Sequence, residues 1–174
     1  MTNFDEDSSV YNETYEVEVL IDRPIAQVWK QFLDIPSWVT SHHIENIYGE
    51  PGTVGSITRV SFKKAKELAM PPPHYHYCKL IQVLPQKQWV LKTYSERGGS
   101  YGFDMKGFDD GRVFAIADKT RVTFNLFIEY TSEVLAKQLR AANADPNLKD
   151  ASRNGMQKNL ENLKRIVESQ PRDR

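Results

Sequence analysis

Histidines are the residues of this sequence best suited to metal binding or proton transfer, and they occur as two close groups. His42 and His43 are adjacent, whereas His74 and His76 are two residues apart. On a strand, adjacent side chains point to opposite faces and residues two apart share a face. Two imidazoles without a nearby cysteine or carboxylate fall short of the three or four ligands of a zinc site. We therefore predict no metal site, and no cofactor.

Motifs typical of catalysis are absent from the sequence. It contains no GxSxG nucleophile elbow, no glycine-rich phosphate loop and no HExxH motif. Acid–base catalysis in a cavity needs an ionisable side chain there, and Tyr101, His42 and His43 are the candidates. Cys78 has no evident base beside it and is predicted to be a small buried residue. We predict no catalytic residue, and the sequence leaves enzymatic activity open.

Charge balance argues against a general nucleic-acid-binding protein. Lysine plus arginine and aspartate plus glutamate both number 23, so the formal net charge is zero. A nucleic-acid-binding protein needs a basic surplus to displace counterions. No apolar run reaches the 18 or more residues of a membrane span, which argues against integral membrane association. The polar N-terminus resembles no targeting peptide, and a single cysteine fits a reducing compartment, so we expect a cytoplasmic protein.

A chain of 174 residues suits one domain. Seven acidic residues and no lysine or arginine fall within residues 1–22. Charge blocks of this kind are usually solvated. We predict a flexible acidic arm over residues 1–13, a single domain over 14–169 and a short tail over 170–174.

Hydrophobic periodicity places strands along most of the chain. In the first strand, Tyr15, Val17, Val19 and Ile21 alternate with acidic residues. Three prolines make 63–74 a loop, and Asp109-Asp110-Gly111 indicates a bulge or turn. The predicted strands cover residues 15–21, 43–48, 54–62, 75–84, 88–96, 101–108, 113–117 and 120–130.

Helices are predicted near both ends. Asp22 offers an N-cap for a helix over 24–33, and Pro36 ends it before a short second turn. After the strands, Ser132 caps a helix to about residue 142, and a longer amphipathic helix covers about 148–168. At 1.5 Å per residue this last helix is about 30 Å long, the only element long enough to cover the apolar sheet face. We predict an α+β helix-grip fold, in which a curved antiparallel sheet of about six to seven strands wraps around the C-terminal helix.

Four segments together resemble the SRPBCC superfamily, which includes START lipid-transfer domains, birch-pollen-allergen proteins and polyketide cyclase/dehydrase-like proteins. They are YEVEVLIDRPIAQVWKQFLDIPSW (15–38), GEPGTVGSITRVSF (49–62), KTRVTFNLFIEY (119–130) and NLENLKRIVES (159–169). The resemblance covers about residues 14–169. Asp118-Lys119 departs from the glycine turn of many relatives. The segment 63–74 is longer and richer in proline than the hairpin of many members, and the resemblance makes it a candidate gate.

The resemblance implies an apolar cavity between the sheet and the C-terminal helix, because a strongly bent sheet cannot contact a straight helix along its whole length. Strand parity predicts which side chains face inward, and Trp38 is expected near the mouth. Gly155 costs helix stability, about 1 kcal/mol relative to alanine, so we expect a close strand or a ligand to need its space. Asn159 lies beside the apolar stripe as a candidate polar contact. The predicted ligand-binding residues are Trp38, Val60, Phe62, Tyr101, Phe103, Met105, Phe124, Leu126, Gly155, Met156 and Asn159.

Three functions follow from the resemblance and the residues. The leading one is a carrier or sensor that binds a small hydrophobic molecule such as a lipid, isoprenoid, polyketide or aromatic compound. The second is a polyketide cyclase/dehydratase-like enzyme acting in the same cavity, which would require at least two convergent polar side chains. The third is a protein-interaction module similar to activators of the heat-shock ATPase, suggested by the acidic arm. The sequence does not decide whether the chain forms a homodimer.

Overall fold

The computed structural model describes residues 10–63, 75–95, 105–131, 133–146 and 148–172, without the side chains of residues 62, 134 and 135. Within these ranges, seven strands and four helices follow one another along the chain. They are β1 (Tyr11–Ile21), α1 (Ile25–Leu33), α2 (Ile35–Trp38), β2 (His42–Tyr48), β3 (Ile57–Phe62), β4 (Tyr75–Leu84), β5 (Gln88–Tyr94), β6 (Met105–Ile116), β7 (Lys119–Tyr130), α3 (Glu133–Ala144) and α4 (Ala151–Ser169).

All seven strands form one sheet in the order β1-β7-β6-β5-β4-β3-β2, and every neighbouring pair is antiparallel. The sheet follows chain order except that β1 lies beside β7, the last strand. Alternating side chains of each strand face the inside, as the period of two predicts. The predicted α+β helix-grip fold is therefore confirmed.

Helix α4 lies along β1 and binds the backbone of that edge strand. Arg153 Nε, Gln157 Nε2 and Lys164 Nζ donate to the carbonyl oxygens of residues 16, 18 and 20, at 3.4, 3.1 and 2.6 Å. These three carbonyl groups belong to the edge of the sheet, where backbone groups have no partner strand. Side chains of α4 thereby satisfy these edge carbonyl groups, and the bonds hold the helix in a defined position over the sheet.

Element boundaries differ from the predictions in several places. The helix predicted over 24–33 begins at Ile25, with Pro24 at the N-cap position, so the predicted cap by Asp22 is wrong. The Asp22 carboxylate instead accepts from Arg172 at 3.0 Å. Strand β1 begins at Tyr11, inside the predicted arm, and residues 1–9 lie outside the described residues, as do 64–74 of the candidate gate. The single-domain boundaries, the gate and the interaction module stay predictions.

The largest correction concerns Asp109-Asp110-Gly111, which continue strand β6 without a bulge or turn. Asp109 pairs with Leu91 of β5 on one side and with Leu126 of β7 on the other. Gly111 likewise pairs with residues on both sides. Backbone pairing to two neighbouring strands outweighs the weak local preference of aspartate and glycine for turns. As a result, the Asp109 side chain points to the interior.

Candidate functional site

A cavity of about 860 Å³ lies between the inner face of the sheet and the N-terminal half of α4. All seven strands, the α1–α2 region, α3 and α4 contribute side chains to its wall. The α4 residues that line it lie between Ala151 and Asn159, whereas Leu160, Leu163 and Val167 are fully buried in the core and do not line it. The space beneath the long helix is therefore hollow at one end and filled at the other.

Most of the predicted ligand-binding residues lie in the wall of this cavity. Tyr101 and Phe103 lie outside the described residues, and so does the side chain of Phe62. Whether any of these residues binds a ligand stays a prediction. Those found in the wall are Trp38, Val60, Met105, Phe124, Leu126, Gly155, Met156 and Asn159.

Gly155 faces open space. Apart from the backbone of its own helix, a Cβ atom placed at this position meets no heavy atom of the described residues within 4 Å. The alternative of a close strand is therefore wrong, and the missing side chain adds to the volume of the cavity.

Asn159 is buried, but its amide is already bound to protein groups. Oδ1 accepts from the backbone N–H of Thr40 at 3.1 Å and from Thr40 Oγ1 at 3.2 Å. Nδ2 donates to Ser41 Oγ at 3.1 Å. These bonds join α4 to the segment after α2, so the side chain serves first to fix the helix at the cavity wall.

Asp109 is the polar residue of the site that the sequence analysis missed. It lines the cavity and is only 9% exposed. Its Oδ2 accepts a hydrogen bond from Thr93 Oγ1 at 3.0 Å, and Thr93 lies 3.5 Å from Cys78 Sγ. Oδ1 has no hydrogen-bond partner. Burial raises the pKa of this carboxyl to about 6, although the bond from Thr93 opposes the shift.

Two tyrosines and a glutamate surround the same end of the cavity. Tyr130 Oη donates to Glu13 Oε2 at 3.0 Å, and Tyr15 Oη accepts from Ser152 Oγ at 3.5 Å. Burial raises the pKa of both phenols, and the negative charges of Glu13 and Asp109 raise them further. Both tyrosines therefore remain neutral at physiological pH.

The histidines divide between the cavity and the surface. His42 lines the cavity together with His76, whereas His43 is exposed and does not. Burial lowers the pKa of His42 to about 4, and that of His76 also to about 4 with a contribution from His42. Both are neutral at physiological pH. The described residues contain no group of three histidines, cysteines or acidic residues placed to hold a metal ion.

Cys78 is buried in the wall, as the sequence predicts. Burial raises the pKa of its thiol, and the nearby Asp109 raises it further. A thiol that stays protonated is a weak nucleophile. Cys78 therefore contributes to the lining as a protonated thiol.

No protein-family model matches the sequence, and no curated protein matches it either. No described helix is long and apolar enough to cross a membrane. Solved structures with the same fold were found at low sequence identity. The truncated norcoclaurine synthase from Thalictrum flavum is 14% identical with a TM-score of 0.62, and the match covers 94% of this chain and 98% of that one.

Two further solved structures share the fold. Ara h 8.0201 is 14% identical with a TM-score of 0.59, covering 92% of this chain and 100% of that chain. DynU16, from the dynemicin biosynthetic locus, is 16% identical with a TM-score of 0.57, and the match covers 90% of this chain but 47% of DynU16. At these identities the likeness concerns the fold, and it confirms the helix-grip architecture that the resemblance to SRPBCC proteins implies.

Proposed function

We propose that this protein binds a small, largely apolar molecule in the cavity beneath α4. The observation that carries this proposal is the hollow of about 860 Å³ beside a core that is otherwise filled. Protein interiors are close-packed, so a space of this size is not a packing defect. It lies within the range of about 300–1,000 Å³ that small-molecule sites occupy.

The composition of the wall supports an apolar guest. Strands β4, β5 and β7 and helix α4 contribute aliphatic, aromatic and methionine side chains to the wall. Among them are Leu80, Leu91, Leu126, Ile128 and Met156. An apolar space has little affinity for water and accepts hydrophobic molecules. The fold neighbour norcoclaurine synthase has been solved in complex with dopamine and hydroxybenzaldehyde, which supports ligand binding by this architecture.

The proposal is tested by filling the cavity from α4. A Cβ atom at position 155 meets open space in the cavity wall, so Gly155→Phe should direct its ring into the site. The control is Lys158→Phe, which adds the same ring to an exposed position of the same helix. Binding is followed by fluorescence titration with the neutral probe N-phenyl-1-naphthylamine.

We expect wild type and Lys158→Phe to bind the probe with similar affinity. Gly155→Phe should bind it at least about tenfold more weakly, the equivalent of about 1.4 kcal/mol. Absence of binding by wild type, or equal binding by all three proteins, would contradict the proposal.

A second candidate function is an enzyme that moves a proton in the cavity, and Asp109 is the observation that favours it. A carboxyl with its pKa raised to about 6 can both accept and release a proton near neutral pH. The test uses mass spectrometry of compounds incubated with the protein. Conversion by wild type that is lost in Asp109→Asn, while the fluorescent probe still binds, would support an enzyme, and unchanged compounds would support a carrier or sensor.

A further inference from the structure

One acceptor atom in the cavity wall has no hydrogen-bond partner among the described residues. Asp109 is more than nine-tenths buried, and only Oδ2 accepts a hydrogen bond, from Thr93. Oδ1 accepts none. Leaving a buried acceptor unsatisfied is unfavourable, and native structures rarely do so without a reason. Oδ1 is itself buried, so a small rotation of the carboxyl is needed to bring it to a guest in the cavity.

The surroundings of Asp109 are acceptors or neutral groups. Cys78 and Thr93 lie on one side, and the charge of Asp109 acts on the phenols of Tyr15 and Tyr130, whose other neighbour is Glu13. Among the described residues of the cavity wall, Lys30 is the only lysine or arginine, and it belongs to α1. A second carboxylate beside Asp109 would therefore meet negative charge without compensation.

Asp109 lines the cavity, although its flanks within β6 are not open. The two residues that share its strand face on either side are Gly107 and Gly111, and the rings of Trp89 and Phe32 occupy the space beside Gly111. Across the sheet, its direct neighbours are Leu91 and Leu126, which also line the cavity and offer no donor. Trp89 Nε1, a buried donor in the same wall, also lacks a partner and makes no hydrogen bond to Oδ1. Among the described residues, no donor serves the free oxygen, which leaves it to the contents of the cavity.

Building on the proposed function, we propose that the molecule bound in this cavity is apolar with a hydrogen-bond donor at one end, a hydroxyl or an amine, and that Asp109 accepts from this donor. The carboxylate selects against guests that end in a carboxylate, such as fatty acids. Recognition of a donor by a buried acceptor gives strong selectivity, because an analogue that lacks the donor leaves the acceptor unpaired.

The test uses four guests that share a ten-carbon chain and differ at the polar end: 1-decanol, decylamine, 1-methoxydecane and decanoate. Their binding is followed by displacement of N-phenyl-1-naphthylamine. For wild type we expect the alcohol and the amine to bind at least about tenfold more tightly than the ether, the equivalent of about 1.4 kcal/mol. Decanoate should bind most weakly.

Two substitutions assign this preference to Asp109. Asp109→Leu removes the acceptor at similar size, so the alcohol should bind no better than the ether. Asp109→Asn removes the charge and, with its amide oxygen bound to Thr93, places an NH2 donor at the free position, so both the amine and the alcohol should lose their advantage over the ether. The second variant is decisive if the first does not fold.

The outcomes separate this inference from the function on which it rests. If wild type binds the probe and all four guests alike, or if both variants keep the wild-type preference, the inference is wrong while ligand binding stands. If wild type binds neither the probe nor any guest, the proposed function itself is wrong.

Discussion

The two halves of helix α4 meet the same sheet in different ways. Toward its C-terminus, Leu160, Leu163 and Val167 are fully buried against core side chains such as Phe32. Toward its N-terminus, Gly155 and Met156 face the cavity. We call these regions the filled end and the hollow end. They share one helix and one sheet, so the hollow does not result from the architecture alone.

The difference between the two ends lies in the side chains. The filled end carries large aliphatic and aromatic residues, whereas the hollow end combines such residues with a glycine on the helix and short polar residues such as Cys78 and Thr93 on the sheet. At the filled end, Glu168 also accepts a hydrogen bond from the backbone N–H of Asp22 at 2.8 Å. The filled end supplies stability that allows the hollow end to remain open.

The largest expected effect comes from truncating matched residues at the two ends. Leu163→Ala creates a new void in the filled end and should lower the free energy of unfolding by about 2–5 kcal/mol. Met156→Ala only enlarges a space that already exists, and should cost about 1 kcal/mol or less. Chemical denaturation of both variants beside wild type measures the difference.

Equal losses in the two variants would show that the cavity is as well packed as the core. The distinction between a filled and a hollow end would then be wrong, and so would the premise of a preformed site. Probe binding by Met156→Ala provides a check, because this variant should retain the site.

The second prediction concerns the cost of placing Asp109 in the hollow end. Its pKa is about 6 in the folded protein, against 3.8 for an ordinary aspartate, so the folded state favours the protonated form. The destabilisation by the ionised carboxylate is absent below about pH 4, grows as pH rises toward 6 and is complete above it. At about 1.36 kcal/mol per pKa unit, the full effect is at most about 3 kcal/mol.

Asp109→Asn removes this titration while keeping the acceptor for Thr93. We therefore expect the variant to gain stability relative to wild type as pH rises from about 4 to about 7, by at most about 3 kcal/mol. Denaturant titrations at several pH values measure the gain. His42 and His76, with lowered pKa values, are present in both proteins and cancel in the difference. A gain that does not change with pH would show that the Asp109 carboxyl titrates normally.

Periodicity predicted the fold well because it reports directly on burial. Val122, Phe124, Leu126 and Ile128 alternate along β7 as the sequence indicates, and all four are buried. The same parity argument placed Val60 and Met105 correctly in the cavity wall. Strand faces and helix stripes are local patterns, so one sequence suffices to find them.

The sequence analysis did not identify Asp109 as a cavity residue because the local sequence around it is typical of a turn and not of a strand. Asp-Asp-Gly is typical of a turn, and only pairing with β5 and β7 keeps these residues extended. Continuing the face of Met105 by steps of two would have reached Asp109. Which end of α4 is hollow depends on how side-chain volumes from seven strands combine, and no local pattern carries that information.

The smallest expected effect comes from adding one methyl group at glycines of the two ends. Gly155→Ala places a Cβ in open space and removes a helix-destabilising residue, so it should raise the free energy of unfolding by about 1 kcal/mol. A Cβ at Gly111 would instead overlap the Trp89 ring and lie 2.6 Å from Cζ of Phe32. Gly111→Ala should therefore lower stability, by about 1–3 kcal/mol.

Thermal unfolding of the two variants beside wild type measures these opposite changes in stability. Because the added methyl group is small against a cavity of about 860 Å³, Gly155→Ala should still bind N-phenyl-1-naphthylamine. A stabilised variant that keeps the probe would show that Gly155 leaves room for larger guests and is not needed for folding. Destabilisation by Gly155→Ala would mean that this part of α4 packs against the sheet, and the hollow end would have to be placed elsewhere.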